Sequence, residues 1–151
     1  MYRLKFLIIP IIFLLCACGG ETPKKKPVKK VKKSNTEKVA KASGLNGKKL
    51  FITHCSVCHM PNGLGVKGAF PPLSDTEWTT GPAEVMIDIV LNGFNEPIEI
   101  NGDKYVTPMA ALPHIKDDEL AAILTYVRSS FGNDASAVTA EEVAVVRAKG
   151  K

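Results

Sequence analysis

At 151 residues, with 45% hydrophobic and 23% charged residues, the chain is long enough for one small domain and too short for two with separate cores. The formal net charge of +5 is unevenly placed: residues 19–43 hold nine Lys against two Glu, a net +7, whereas residues 44–151 hold nine Lys and Arg against thirteen Asp and Glu, a net −4. An acidic domain excludes nucleic-acid binding by its own surface, so the basic stretch needs a separate explanation.

Arg3 and Lys5 precede an apolar run from Phe6 to Ala17, broken only by Pro10. This is the pattern of a secretory signal peptide, residues 1–17, and it is too short to span a membrane as a mature helix. Its end, Leu15-Cys16-Ala17-Cys18-Gly19, resembles the lipobox of bacterial lipoproteins, in which a small residue precedes the cysteine that is diacylated and becomes the new N-terminus. Cys18 is the expected lipidation site, because Cys16 would place the bulky Leu15 just before the cut. The expected product is exported, anchored to a bacterial membrane and facing the periplasm, the alternative being an uncleaved hydrophobic anchor. Residues 18–43 then form a Lys-rich tether that buries too little apolar surface to fold. A coil of about 25 residues spans roughly 25–30 Å, or about 80 Å fully extended. The alternative for its lysines is a lipid-binding or partner-binding patch.

The folded domain is expected over 44–151. Gly47 to His54, with Leu50 and Phe51 apolar, predicts a helix in which Gly47 permits close packing. It delivers the chain into Cys55-Ser56-Val57-Cys58-His59, a C-x-x-C-H run that reads as a covalent attachment site for a c-type haem. The spacing has a chemical reason: each thiol can add to one vinyl group of the same porphyrin, and the next residue then sits under the iron. His59 is thereby the proximal ligand. A thioredoxin-like redox pair would need a βαβ setting, which is absent from the pattern, and a zinc site would need a second pair of ligands where only His54 and His114 are spare. With Cys16 discarded, Cys18 acylated, and Cys55 and Cys58 on haem, no cysteine is left for a disulfide.

Met60 to Leu73 is rich in Gly and Pro and predicts a loop, with Pro71-Pro72-Leu73 along the proximal side of the ring. A second helix starts at Pro82, carries Val85, Met86, Ile89 and Val90 as its apolar set, and stops at Gly93. Ile98 to Tyr105 predicts a short hairpin turning at Asn101-Gly102. A long helix runs from Asp117 or Asp118 to Ser130 with the core stripe Leu120, Ile123, Leu124 and Val127, and Tyr126 placed to meet the first helix. A last helix, 139–149, opens with the capping box Thr139–Glu142 and offers Val143, Val145 and Val146, expected to pack on the outside.

For the sixth iron position Met109 is the candidate, in the proline-stiffened loop Tyr105-Val106-Thr107-Pro108-Met109-Ala110 just before the long helix. A thioether is soft and neutral, favours ferrous iron and raises the potential relative to a second imidazole. Met60 adjoins the proximal histidine and cannot reach the opposite face, and Met86 lies on a helical apolar stripe where core packing explains it. His114 reads as a surface histidine near a helix start, and His54 as pointing to solvent or to neighbouring backbone.

Together these residues resemble the class I mono-haem cytochromes c. The likeness covers about residues 44–133, through Gly47 and Phe51, Cys55-Ser56-Val57-Cys58-His59, Phe70-Pro71-Pro72-Leu73, Met109, and the run from Asp117 to Arg128. The resemblance implies an all-α fold of short helices around one largely buried haem, His59 and Met109 as axial ligands, and a Pro71 carbonyl accepting the His59 ring proton. Met109 is followed by Ala110 where many relatives have proline, and Lys116 stands where a capping serine is common, which moves the expected cap to Asp117. The resulting expectation is a monomeric, membrane-tethered carrier of single electrons between redox proteins, and not an enzyme. The alternatives are a haem subunit of an oxidase, nitrite reductase or quinoprotein dehydrogenase, and a haem enzyme or sensor whose distal ligand leaves.

Overall fold

The computed structural model describes residues 44–150; the signal peptide at 1–17, Cys18 and the tether at 18–43 lie outside the described residues. Helix α1, Gly47–His54, starts where the Asn46 side-chain oxygen accepts the Lys49 N–H at 2.9 Å. Helix α2, Ser56–His59, follows after the single residue Cys55, so the C-x-x-C-H run is itself a helical turn. Helix α3, Glu77–Thr80, is held by reciprocal hydrogen bonds between Thr76 and Thr79. Helix α4, Ala83–Asn92, begins after Pro82 and ends at Gly93. Strands β1, Ile98–Ile100, and β2, Asp103–Tyr105, pair antiparallel with Ile98 opposite Tyr105, and Asn101 and Gly102 both take the positive φ of a two-residue hairpin turn. Helices α5, Asp117–Arg128, and α6, Ala140–Lys149, complete an essentially all-α domain.

Helix α1 lies against α5 at very short range. A Cβ at Gly47 would stand 2.2 Å from the Ala122 carbonyl oxygen, so only glycine permits the approach. The approach brings Phe51, with 0% of its surface exposed, against the rings of Tyr126 and Phe131 at centroid distances of 5.6 and 5.3 Å. From α5, Leu120, Ile123, Leu124 and Val127 all enter the core, as their spacing predicts, and Tyr126 meets α1.

Several expectations are corrected. The core face of α4 is Met86, Ile87 and Leu91, whereas Val85 is 41% exposed and Ile89 and Val90 are half-buried beside a cavity. This helix faces a core on one side and a cavity on the other, so a single stripe does not describe it. Helix α6 does not merely lie outside: Val143 and Val146 join the core with Val138, and Val145 alone of the three valines expected to pack is exposed. The Thr125 hydroxyl fastens the approach to α6 by donating to the Val138 carbonyl at 3.1 Å and accepting the Val138 N–H at 2.9 Å. The cap of α5 is Lys116 rather than Asp117; the Glu119 carboxylate accepts the Lys116 N–H at 3.2 Å, and Asp117 is engaged by Arg147. The helix ends at Arg128, with Ser129 rather than Ser130 closing it.

Candidate haem site

The attachment run forms because the α1 ladder continues through it. Cys55 N–H bonds Phe51 O at 2.9 Å, and Cys58 and His59 both donate to Cys55 O, at 3.2 and 3.0 Å. Cys55 and Cys58 are half-buried and not joined in a disulfide. Burial, together with the neighbouring Cys58, pushes the Cys55 thiol up to about 11, whereas a catalytic redox pair needs a thiol whose ionisation is made easy.

His59 is buried at the end of α2, and its Nδ1 lies 3.0 Å from the Pro71 carbonyl oxygen. A carbonyl only accepts, so Nδ1 carries the proton and Nε2 keeps the lone pair. Burial lowers the proton affinity of the ring and outweighs the opposing effect of the Pro71 bond, which favours the neutral imidazole that a metal requires. Pro71 is placed by its own network. Val66 and Phe70 exchange backbone hydrogen bonds at 2.8 Å each, Gly65 N–H bonds His59 O at 3.0 Å, and Leu73 N–H bonds Gly63 O at 2.7 Å. The buried Asn133 amide then ties Leu73 O to Val127 O, at 2.8 Å each, so the proximal loop is fixed to the end of α5.

Met109 arrives from the other part of the chain. Its N–H donates to Phe94 O at 2.8 Å and its carbonyl accepts the Phe94 N–H at 3.0 Å, while Leu112 N–H bonds Val90 O at 2.8 Å. The loop is therefore attached to α4 and to the residue just past its stop.

Cys55, Cys58, His59, Pro71, Leu73 and Met109 all border one cavity of about 410 Å³. Its size lies in the usual range for cofactor sites of about 300–1,000 Å³, and its walls are mostly apolar, including Phe51, Ile123, Leu124 and Val127. Val57 borders it while 87% exposed, so the edge at the two cysteines opens to solvent. The residues fit a covalently held haem: two cysteines one turn apart, an imidazole with its outer proton already committed, a thioether, and an apolar space bordered by all of them.

The remaining sequence candidates separate. Met60 and His114 are exposed and do not border the cavity. Met86 borders it from the core, but its sulfur is 4.0 Å from Arg128 Nη1. His54 is half-buried at the cavity, with its ring 6.4 Å from that of His114, rather than turned to solvent or backbone as expected. Trp78 and Phe94, packed edge-to-face at 5.6 Å, line the cavity wall without having been site candidates in the sequence, and Arg128, expected only as the basic end of the long helix, donates to Thr79 O at 3.0 Å. Trp78, the chain's single tryptophan, carried a compositional signal; Phe94 carried none beyond its place after Gly93.

The family model described as Cytochrome c matches residues 45–131. Cytochrome c-552 of Thermus thermophilus is 38% identical over 114 residues, covering 69% of this chain and 86% of the relative. The cytochrome c subunit of the quinone alcohol dehydrogenase of Gluconobacter oxydans is 27% identical over 110 residues, 71% of this chain but 23% of that protein. The fructose dehydrogenase cytochrome subunit of Gluconobacter japonicus is 30% identical over 116 residues, 70% of this chain and 23% of the subunit. The C-x-x-C-H turn, the cavity it borders and the extent of the match make this chain a member of the cytochrome c family, an electron carrier rather than an enzyme, with haem c held covalently through Cys55 and Cys58.

Proposed function

We propose that the protein is a lipid-anchored periplasmic cytochrome that carries single electrons between membrane redox partners, with His59 and Met109 as axial ligands. The observation that carries this reading is the convergence of Cys55, Cys58, His59 and Met109 on one apolar cavity from two separate parts of the chain. Haem c bound there supplies a one-electron ferric–ferrous couple. The Pro71 carbonyl holds the His59 proton at Nδ1 and leaves Nε2 as the nitrogen that would bind the iron, a contact that would raise the basicity of the ligand. A Met109 thioether on the iron would favour the ferrous state and would occupy the position a substrate would need. The apolar walls exclude water, so a change of charge reorganises little solvent. The exposed edge at Val57 brings a partner within transfer distance.

Cys18 carries the lipid in this reading, and the +7 of residues 19–43 lies near anionic headgroups while the −4 domain is repelled into the aqueous space. Tethering confines the domain to a shell a few tens of Å deep and raises its encounter rate with membrane partners without tight binding. A second reading, a subunit of a larger oxidoreductase, is supported by the likeness to dehydrogenase cytochrome subunits. The carrier is favoured because identity to the c-552 relatives, 38%, exceeds the 27% and 30% to the dehydrogenase subunits.

The test of ligation is Met109→His. The variant is expected to stay low-spin with a lower potential, because imidazole stabilises ferric iron better than a thioether. A ferric wild type lacking the red thioether-to-iron charge-transfer band, or a ferrous one that binds carbon monoxide readily, rejects Met109. The test of anchoring is Cys18→Ala with export preserved, expected to release a spectrally normal cytochrome that passes electrons to its membrane partner much more slowly. A variant still membrane-bound after a high-salt wash rejects the lipid. A membrane complex that retains the cytochrome stoichiometrically after solubilisation favours the subunit.

A further inference from the structure

Arg147 lies on α6, beyond the residues matched by the family model. Its three donor nitrogens close on one short segment: Nη1 donates to Pro113 O at 2.7 Å, Nη2 to Ile115 O at 2.6 Å, and Nε to Asp117 Oδ1 at 2.7 Å. That segment joins the Met109 loop to α5. The segment is otherwise held by Ile115, 2% exposed in the core, by the Lys116 N–H donating to Glu119 Oε2 at 3.2 Å, and by backbone ties from Ile115 N–H to Leu112 O at 3.3 Å and from Leu112 N–H to Val90 O at 2.8 Å, and Arg147 supplies the side-chain donors to its Pro113 and Ile115 carbonyls. A planar guanidinium spreads its donors over three nitrogens and so reaches acceptors spaced along a bend, whereas the three donors of an ammonium radiate from a single nitrogen.

We infer that Arg147 is a positioning residue for the distal ligand: α6 clamps residues 113–117 and thereby holds the Met109 loop closed over the haem cavity. This inference rests on the reading of Met109 as an axial ligand and adds what keeps it there. Opening of its loop would take a distal methionine off the iron, and the loop is pinned at Phe94 on one side and through Leu112 and residues 113–117 on the other. Releasing the second pin raises the population of the open loop, and any outside ligand binds in proportion to that population. Helix α6 also docks elsewhere, through an ion pair between Lys149 and Glu84 on α4, which provides a control on the same helix that does not touch the loop.

The experiment uses the full haem-loaded protein and titrates ferric iron with imidazole in the wild type, Arg147→Met, Arg147→Lys and Lys149→Met. Arg147→Met is expected to bind imidazole about tenfold more tightly, Arg147→Lys at least about threefold, and Lys149→Met within about twofold of wild type. Arg147→Lys keeps the charge and loses the fork, so it reads the same clamp if the methionine variant does not fold. Wild-type affinity in the Arg147 variants, or an equal rise in Lys149→Met, overturns the inference, the latter by showing that α6 acts only through general docking. A wild-type ferric spectrum without the thioether band removes the Met109 reading and this one with it; a normal band with unchanged imidazole affinity removes this one alone.

Discussion

The Pro71 carbonyl accepts the His59 ring proton across 3.0 Å, and this contact joins a loop twelve residues downstream to the proposed proximal ligand. It sets the tautomer, the ring orientation and the basicity of the His59 imidazole at once.

Gly65→Ala tests that contact without replacing either partner. A Cβ at this position, where φ is +63°, would lie 2.2 Å from Phe70 O and 2.6 Å from Pro71 O, so the carbonyl must shift. The expected result is a higher midpoint potential, because a less basic imidazole stabilises ferric iron less, with a stability loss of about 1–3 kcal/mol. Spectroelectrochemical titration and urea unfolding measure both. An unchanged potential would show that the Pro71 bond orients the ring without tuning it.

Covalent attachment is tested by chemistry. Pigment in the wild type should stay with the chain through denaturation and acid–acetone extraction, and Cys55→Ala combined with Cys58→Ala should lose it to the solvent. Pigment retained by the double variant would mean that another side chain holds it.

The α1–α5 contact predicts a steep penalty for one methyl group. Gly47→Ala is expected to cost about 2 kcal/mol or more, because the new Cβ meets the Ala122 backbone and not a side chain that could turn away. The exposed neighbour Lys48→Ala should change stability by no more than about 0.5 kcal/mol. Thermal melts of the pair decide it.

Arg128 is 3% exposed, and its guanidinium donates to Thr79 O at 3.0 Å, Gly81 O at 2.8 Å and Ser136 O at 2.8 Å, joining α3, the start of α4 and the chain after α5. Arg128→Met fills similar space and strips the donors from three carbonyls, with an expected loss of about 3 kcal/mol in urea unfolding. A loss below about 1 kcal/mol would indicate that water replaces the guanidinium.

The C-x-x-C-H turn, the core stripe of α5, the Asn101-Gly102 hairpin and the capping box of α6 were legible in the sequence because each is written in residues a few positions apart. Spacing along one turn, one helical face or one tight turn is local physics. The pairing of Tyr126 with α1 was accessible for a related reason, since it needed one helical face and one neighbour. Tertiary structure alone decided the rest. Val85 turned outward and Ile87 inward because α4 has two surroundings, and a single apolar stripe cannot say which face meets a core and which a cavity. His54 reached the cavity wall because α1 ends there. Val143 and Val146 became core, and Arg147 came to span Pro113, Ile115 and Asp117, because α6 folds back over elements thirty and more positions earlier. Such contacts depend on where distant segments meet, and the spacing of neighbouring residues carries no record of that meeting.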